Sequence, residues 1–206
     1  MIGKGRERTG TPADLLVIGL GNPGSEYEHT RHNVGADVVA LLATRHGTAL
    51  KKAKEKALTA EVNIRGKRLA LAFPQTYMNL SGESAQLLVR RYGVDDPARI
   101  VVVHDELDLP TGKLRLKAGG GLAGHNGLRS LKQHLHTDAF LRVRIGVGKP
   151  PRPEAGADHV LKKVSKSDRE ALAAAVEAAA DAIEAIAIEG MDAAMNRFNQ
   201  SAPPLT

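Results

Sequence analysis

Five residues spread along the chain have side chains suited to moving a proton and steadying a negative charge: His32, Asp105, Asn22, Asn79 and Asn126. A free imidazole titrates near about 6.5, so a largely neutral His32 ring can accept a proton from water near neutral pH. A carboxylate on the other ring nitrogen, here Asp105, would fix the tautomer and stabilise the imidazolium as it forms. An Asn amide donates to a carbonyl or developing oxyanion and accepts from an amide N–H, without competing for protons. These types together suit general-base activation of water. Taken singly, each also has an ordinary reading, His32 as a helix-start residue, Asp105 as a cap or turn residue and each Asn as a turn bridge.

Other chemistries find less in the sequence. Gly19-x-Gly21-x-x-Gly24 has the spacing of a dinucleotide-binding turn, but Pro23 and the polar stretch 25–31 delay the helix those glycines should open, and no strand-ending acid follows about 20 residues on. There is no GxxxxGK[ST] phosphate loop. Asp105, Glu106, Asp108 and His104 invite a divalent metal, yet neighbours on an extended segment point to opposite sides, and His134-x-His136 lacks an obvious third ligand. With no cysteine in the chain, thiol nucleophiles, disulfides and Cys-ligated metal centres are excluded. The reading is of chemistry without a metal or cofactor.

Lys117 and Arg144 could clamp a phosphate, Lys as a compact charge and Arg through its fork. Residues 113–152 carry nine Lys or Arg and one acid, Asp138, whereas residues 168–192 carry seven acids and one base, Arg169. Such segregation focuses positive potential on one side and attracts a polyanion, although charge runs also simply solvate a surface. Only 3% of residues are aromatic, which favours backbone contacts over base stacking. Arg115 reads equally well as a surface counter-charge.

These residues need elements that bring them together. Leu15–Leu20 is a continuous apolar run ending in Gly and Pro, as in a strand covered on both faces. Ala60–Ile64 and Arg68–Phe73 flank Gly66 as a hairpin. Ile100–Val103 reads as a buried strand ending directly at His104 and Asp105. Leu141, Val143, Ile145 and Val147 alternate with Arg142, Arg144, Gly146 and Gly148, which puts both arginines on the face opposite the apolar set. Helical faces appear at Val34, Val38, Leu41 and Leu42 before Gly47, at Ala85, Leu88, Val89 and Tyr92 before Gly93, and at Leu128, Leu131 and Leu135. Ser167 and Glu170 have capping-box spacing ahead of an Ala-rich helix with Leu172, Val176, Ala179 and Ile183 inward. The pattern predicts an α/β fold, a single three-layer domain with a twisted mixed β-sheet flanked by helices. In such sheets ligands sit beyond the carboxyl ends of strands, where the loops carrying Asn22, His32, Asp105 and Asn126 would lie.

The 206 residues suffice for one sizeable core. Residues 1–14 read as a flexible polar leader, 15–200 as the catalytic domain and 201–206 as a flexible tail. No apolar run approaches the roughly 18 residues of a membrane span, and Met1–Thr11 lacks a secretory signal's apolar stretch, so a soluble cytoplasmic protein is expected.

The stretches GLGNPGSEYEHTRHNVG at 19–35, PQTYMNLSG at 74–82, HDELDLPTG at 104–112, KAGGGLAGHNGL at 117–128 and RVRIGVG at 142–148 together resemble the bacterial-type peptidyl-tRNA hydrolases. The resemblance implies a monomeric, metal-independent esterase that frees peptide from the 3′ ribose of tRNA, with no cofactor and no obligate protein partner. By similarity His32 is the base, Asp105 its partner and Asn22 a third member of the catalytic group. Tyr27, Met78, Asn79, His125 and Asn126 would contact substrate. Lys117 and Arg144 would hold a tRNA phosphate, so the partner is the acceptor stem and 3′ end of peptidyl-tRNA. The chain departs from its relatives at Lys149-Pro150-Pro151-Arg152-Pro153 and at Lys162-Lys163, where a Gly-containing turn is common, so the crevice cover would differ in stiffness or charge.

Overall fold

The continuous apolar run after Ala13 forms β1 (Leu15–Gly19), every residue of it buried. The computed structural model describes residues 11–150 and 156–200. The other strands are β2 (Lys51–Ala53), β3 (Ala57–Ile64), β4 (Lys67–Pro74), β5 (Ile100–Glu106), β6 (Leu114–Ala118) and β7 (Leu141–Gly146). They form one sheet in the order β2-β3-β4-β1-β5-β7-β6. The pairs β4–β1, β1–β5 and β5–β7 are parallel, and the β2–β3, β3–β4 and β6–β7 pairs are antiparallel, giving the expected mixed sheet.

The helices are α1 (Val34–Arg45), α2 (Ser81–Tyr92), α3 (Asn126–Leu135), α4 (Gly156–Leu161), α5 (Lys166–Glu189) and α6 (Met191–Phe198). Strand alternation divides the core. Val17, Val101, Val103, Val143 and Ile145 face Val38, Leu42, Ala179 and Ile183 of α1 and α5. Leu16, Ile18, Ala70 and Val102 face Leu88 and Leu131 of α2 and α3. Two apolar layers on one sheet explain why β1 and β5 lack polar alternation. Among the described residues no helix is long and apolar enough to cross a membrane.

Several elements differ from the sequence reading. β5 continues through His104 and Asp105 to Glu106, because all three pair in register with Arg144, Ile145 and Gly146 of β7. The α5 cap is Ser165, whose hydroxyl accepts from the Asp168 amide; Ser167 and Glu170 lie inside the helix. Ser165 has the extended backbone that an N-cap needs, and Ser167 does not stand at the boundary. Strands β2 and β6 and helices α4 and α6 were not anticipated. Within the stretch assigned to the leader, Ala13 is fully buried and Asp14 accepts from the Arg68 amide. Residues 1–10 and 201–206, and Pro151, Arg152 and Pro153 of the divergent segment, lie outside the described residues.

The chain leaves β1 through α1 on one face to reach β4, and leaves β4 through α2 on the other face to reach β5. The crossovers therefore diverge between β1 and β5. A crevice opens beyond the carboxyl ends of strands at such a switch point.

Candidate active site

Asp105 stands at the end of β5, and His32 lies in the 3-10 turn Arg31–Asn33 that leads into α1. Glycine sets their separation. A Cβ on Gly35 would come within 2.3 Å of the Val103 carbonyl oxygen, so only hydrogen lets the start of α1 settle onto β1 and β5. The Ala36 amide donates to Leu20 O and the Leu20 amide to Val103 O, fastening turn, strand and helix together. His32 Nδ1 then lies 2.9 Å from Asp105 Oδ1. The carboxylate is buried, and the imidazole is only slightly exposed, at the crevice wall.

The same Oδ1 accepts a second imidazole, with His125 Nε2 3.0 Å away. Burial alone would push the Asp105 carboxyl up; the two imidazoles, His32 and His125, with the N–H donors they turn to it, outweigh that and hold the group below the ordinary carboxylate range. His125 is the N-cap of α3, its Nδ1 accepting from the Gly127 and Leu128 amides at 3.1 and 3.3 Å. Next to Asp105 on β5, fully buried His104 donates from Nδ1 to the Asp105 carbonyl at 2.7 Å. Its ring meets that of His125 edge-on at 5.0 Å. Burial, then the neighbouring His125, push the His104 imidazole down to about 3.

Asn22, Asn79 and Asn126 all line one crevice of about 790 Å³, together with His32, Met78, Asp105 and His125. Their settings differ. Asn22 is buried: its backbone and the Asn33 side chain exchange two hydrogen bonds of 2.9 Å, and its Oδ1 accepts from the Met78 amide at 2.8 Å. Because Met78 N–H can only donate, the amide oxygen is fixed toward it and Asn22 Nδ2 is left as the donor. Asn79 and Asn126 are exposed, and Asn126 Oδ1 accepts from Arg129. Gly82 brings α2 within reach of α3, where its amide donates to Ser130 Oγ at 2.9 Å. That contact sets the Met78–Leu80 turn against the α3 N-terminus.

Tyr27 stands on the 3-10 turn Ser25–Tyr27 and does not line this crevice. The cations lie on one sheet face, where Arg115 is opposite Arg144 and Lys117 is opposite Arg142. Arg144 is held by Glu106, with Nε and Nη2 at 3.1 and 3.0 Å from Oε2. Exposed Lys117 lies over Gly120. Arg142, read as a polar-face residue, is buried and forks onto the Gly120 and Gly121 carbonyls at 2.6 Å each, so it shapes the glycine loop.

Sequence reasoning gave Asn33 no role, weighed His104 only for a metal and placed Arg142 only on the polar face of its strand. Their signal was adjacency to His32 and Asp105 and alternation with Arg144, but the roles depend on partners distant in sequence. The expected cover gains named contacts in the structure. Val160 and Leu161 of α4 line the crevice, His159 Nε2 donates to Val147 O, and Arg31 ties the His32 turn to Asp168 of α5 at 2.8 Å. The Lys163 anomaly falls at a bridge with Thr30.

His32, Asp105 and His125 are also a group whose donor atoms, within 4.8 Å of one another, come near enough to consider for a metal. The N···O separations are those of direct hydrogen bonds, and the far nitrogen of His125 is occupied by helix amides. The arrangement can hold a carboxylate, orient an imidazole toward the crevice and present amide donors beside it.

Residues 16–204 match the family profile of peptidyl-tRNA hydrolase. The chain is 50% identical over 186 residues to the peptidyl-tRNA hydrolase of Leifsonia xyli subsp. xyli, covering 89% of this chain and 96% of that one. It is 45% identical over 184 residues to that of Chloroflexus aggregans, covering 89% and 98%. Among solved structures, peptidyl-tRNA hydrolase from Acinetobacter baumannii superposes with a TM-score of 0.87 at 38% identity, covering 94% of this chain and all of that one. Matches of this extent, over the whole stretch that carries the crevice, place the chain in the bacterial-type peptidyl-tRNA hydrolase family.

Proposed function

We propose that this hydrolase cleaves the ester between the terminal carbonyl of a peptide and the 3′ ribose of tRNA by His32-activated attack of water. The observation that carries the reading is the 2.9 Å contact of His32 Nδ1 with buried Asp105, at the wall of a crevice also lined by Asn22. Asp105 takes the Nδ1 proton as a hydrogen bond and leaves the Nε2 lone pair to act.

Water loses a proton to His32 Nε2 as its oxygen bonds to the ester carbonyl carbon. Charge moves onto the carbonyl oxygen, toward which Asn22 Nδ2 donates, with Asn79 and Asn126 at the rim holding the peptide backbone. Collapse expels the ribose oxygen, which takes the proton back from the imidazolium. The products are a free peptide and tRNA with its 3′ hydroxyl restored. A positioned base of this kind contributes roughly 10²–10⁴-fold.

Backbone-directed amides would accept nearly any peptide sequence, and Met78 supplies an apolar wall. Lys117 and Arg144 meet a phosphate of the tRNA, Arg144 with the part of its fork that Glu106 leaves available. The enzyme would act as a monomer on the acceptor stem and 3′ end.

The test is incubation with purified peptidyl-tRNA in the presence of a chelator, with both products analysed. Free peptide and intact tRNA are expected. Cut RNA appearing only with added metal, or binding with no product, contradicts the reading.

A further inference from the structure

Building on the general-base reading, we infer that His125 serves the reaction through Asp105, as a positioning residue whose hydrogen-bond polarity is dictated by the N-terminus of α3, rather than by touching the peptide. A cap oriented by backbone amides has little choice of tautomer. Gly127 and Leu128 present N–H groups to Nδ1, which must accept, so the only ring proton sits on Nε2 and is donated to Asp105 Oδ1. A second proton on Nδ1 would face two donors and the positive end of the helix dipole.

Asp105 Oδ1 thus serves His32 and His125 at once, at 2.9 and 3.0 Å. The second donor does two things. It fixes the rotation of the carboxylate, and therefore the plane from which His32 is held. It also divides the accepting capacity of that one oxygen between two N–H groups, so the His32 contact has a defined direction.

The surroundings keep His125 in this role. His104 stacks edge-on against it and pins the Asp105 carbonyl, and burial keeps His104 neutral, down to about 3. The charged and titratable groups about the rings are Asp105, His104 and Glu106 from β5, Arg129 from α3, and on β7 Arg142 near His104 and Arg144 bound to Glu106. From the other elements, α4 presents Val160 and Leu161, the Met78–Leu80 turn and its lead-in present Tyr77, Met78 and Asn79, and the loop after β1 presents Asn22. Burial leaves the His125 side chain 8% exposed, with little surface to offer a substrate.

The experiment compares the parent enzyme, His125→Asn and His32→Ala in kcat and KM for peptidyl-tRNA from pH 5.5 to 9. Asn retains a cap for α3 but is too short to reach Asp105. The expected result for His125→Asn is KM within about twofold of the parent and a loss of kcat of roughly tenfold or more. A KM raised about tenfold at every pH with kcat unchanged would assign His125 to direct peptide contact and overturn the inference. Nitrogen NMR of the parent's imidazoles is a readout independent of any variant: the His125 ring is expected to carry its proton on Nε2, with Nδ1 accepting. A proton on Nδ1 would also overturn it. Turnover retained by His32→Ala would instead remove the base reading itself, whichever way the His125 data fall.

Discussion

Gly19 and Gly35 approach so closely that a Cβ on Gly19 would stand 2.1 Å from the Gly35 carbonyl oxygen. This contact presses the start of α1 onto β1, and the turn bearing His32 is carried with it toward Asp105. Gly35→Ala must push α1 off the sheet, at a cost of about 1–3 kcal/mol or more. Urea unfolding should show that loss, and hydrolysis at a temperature where the variant is still folded should fall further than the folded fraction accounts for. A variant that unfolds early but retains parental turnover while folded would detach the glycine contact from the placement of His32.

Asn33 is expected to act on the reaction without touching substrate. Its side chain exchanges two hydrogen bonds with the Asn22 backbone. Asn33→Ala leaves buried groups unpaired, costing about 1–3 kcal/mol, and releases Asn22 from its place against Met78. The loss should appear mainly in kcat. A change confined to KM would argue for a role in binding alone.

Under the proposed function the basic face divides into a structural half and a half that would meet tRNA. Arg142→Lys cannot fork onto two glycine carbonyls, and should destabilise the protein by about 1.5–3 kcal/mol. Lys117→Ala, at an exposed position, should change stability by less than about 0.5 kcal/mol while weakening turnover of peptidyl-tRNA more than of a small peptidyl ester. Arg144→Ala should weaken the same substrate selectively, with added instability from the stranded Glu106 carboxylate. Equal losses on both substrates for Lys117→Ala would contradict the assignment.

Acid should destabilise the fold through the imidazole and carboxyl groups beneath the crevice. The unfolded His104 ring takes up its proton as pH falls through about 6.5, whereas the folded ring stays neutral to about 3. Between those values the unfolded chain holds one more proton, so unfolding free energy drops as pH falls across that window. Asp105, depressed in the folded state, adds to the fall only below its unfolded value of about 4. His104→Asn keeps a donor for the Asp105 carbonyl but does not titrate. Urea unfolding between pH 6 and 4.5 should therefore give a shallower slope for this variant, and an unchanged slope would show that His104 is protonated in the fold.

What could be read beforehand followed physical periodicity. The unbroken apolar run of β1, the alternation of β7 and the glycines after α1 and α2 each left a local signature. β2 is three residues of Lys, Lys and Ala at a sheet edge, with no apolar period to detect. β6 did alternate, Leu114 and Leu116 against Arg115 and Lys117, but read as charge rather than strand. At the site, residue types left the His32–Asp105 contact open beside cap and turn roles and the family resemblance paired the two, which the fold brings together across a separation of 73 residues. The second imidazole on Asp105, the Asn33–Asn22 exchange and the burial of Arg142 depend on distances that no local pattern encodes. Tyr27 shows the converse, a motif residue that the fold sets apart from the crevice wall.

The most direct test of the proposed chemistry is single-turnover hydrolysis of N-acylaminoacyl-tRNA by His32→Ala, with melting temperature and tRNA affinity checked against the parent. With both preserved, release of the acylated amino acid should fall at least ~100-fold. Release at a rate within a few-fold of the parent would mean that water is activated elsewhere.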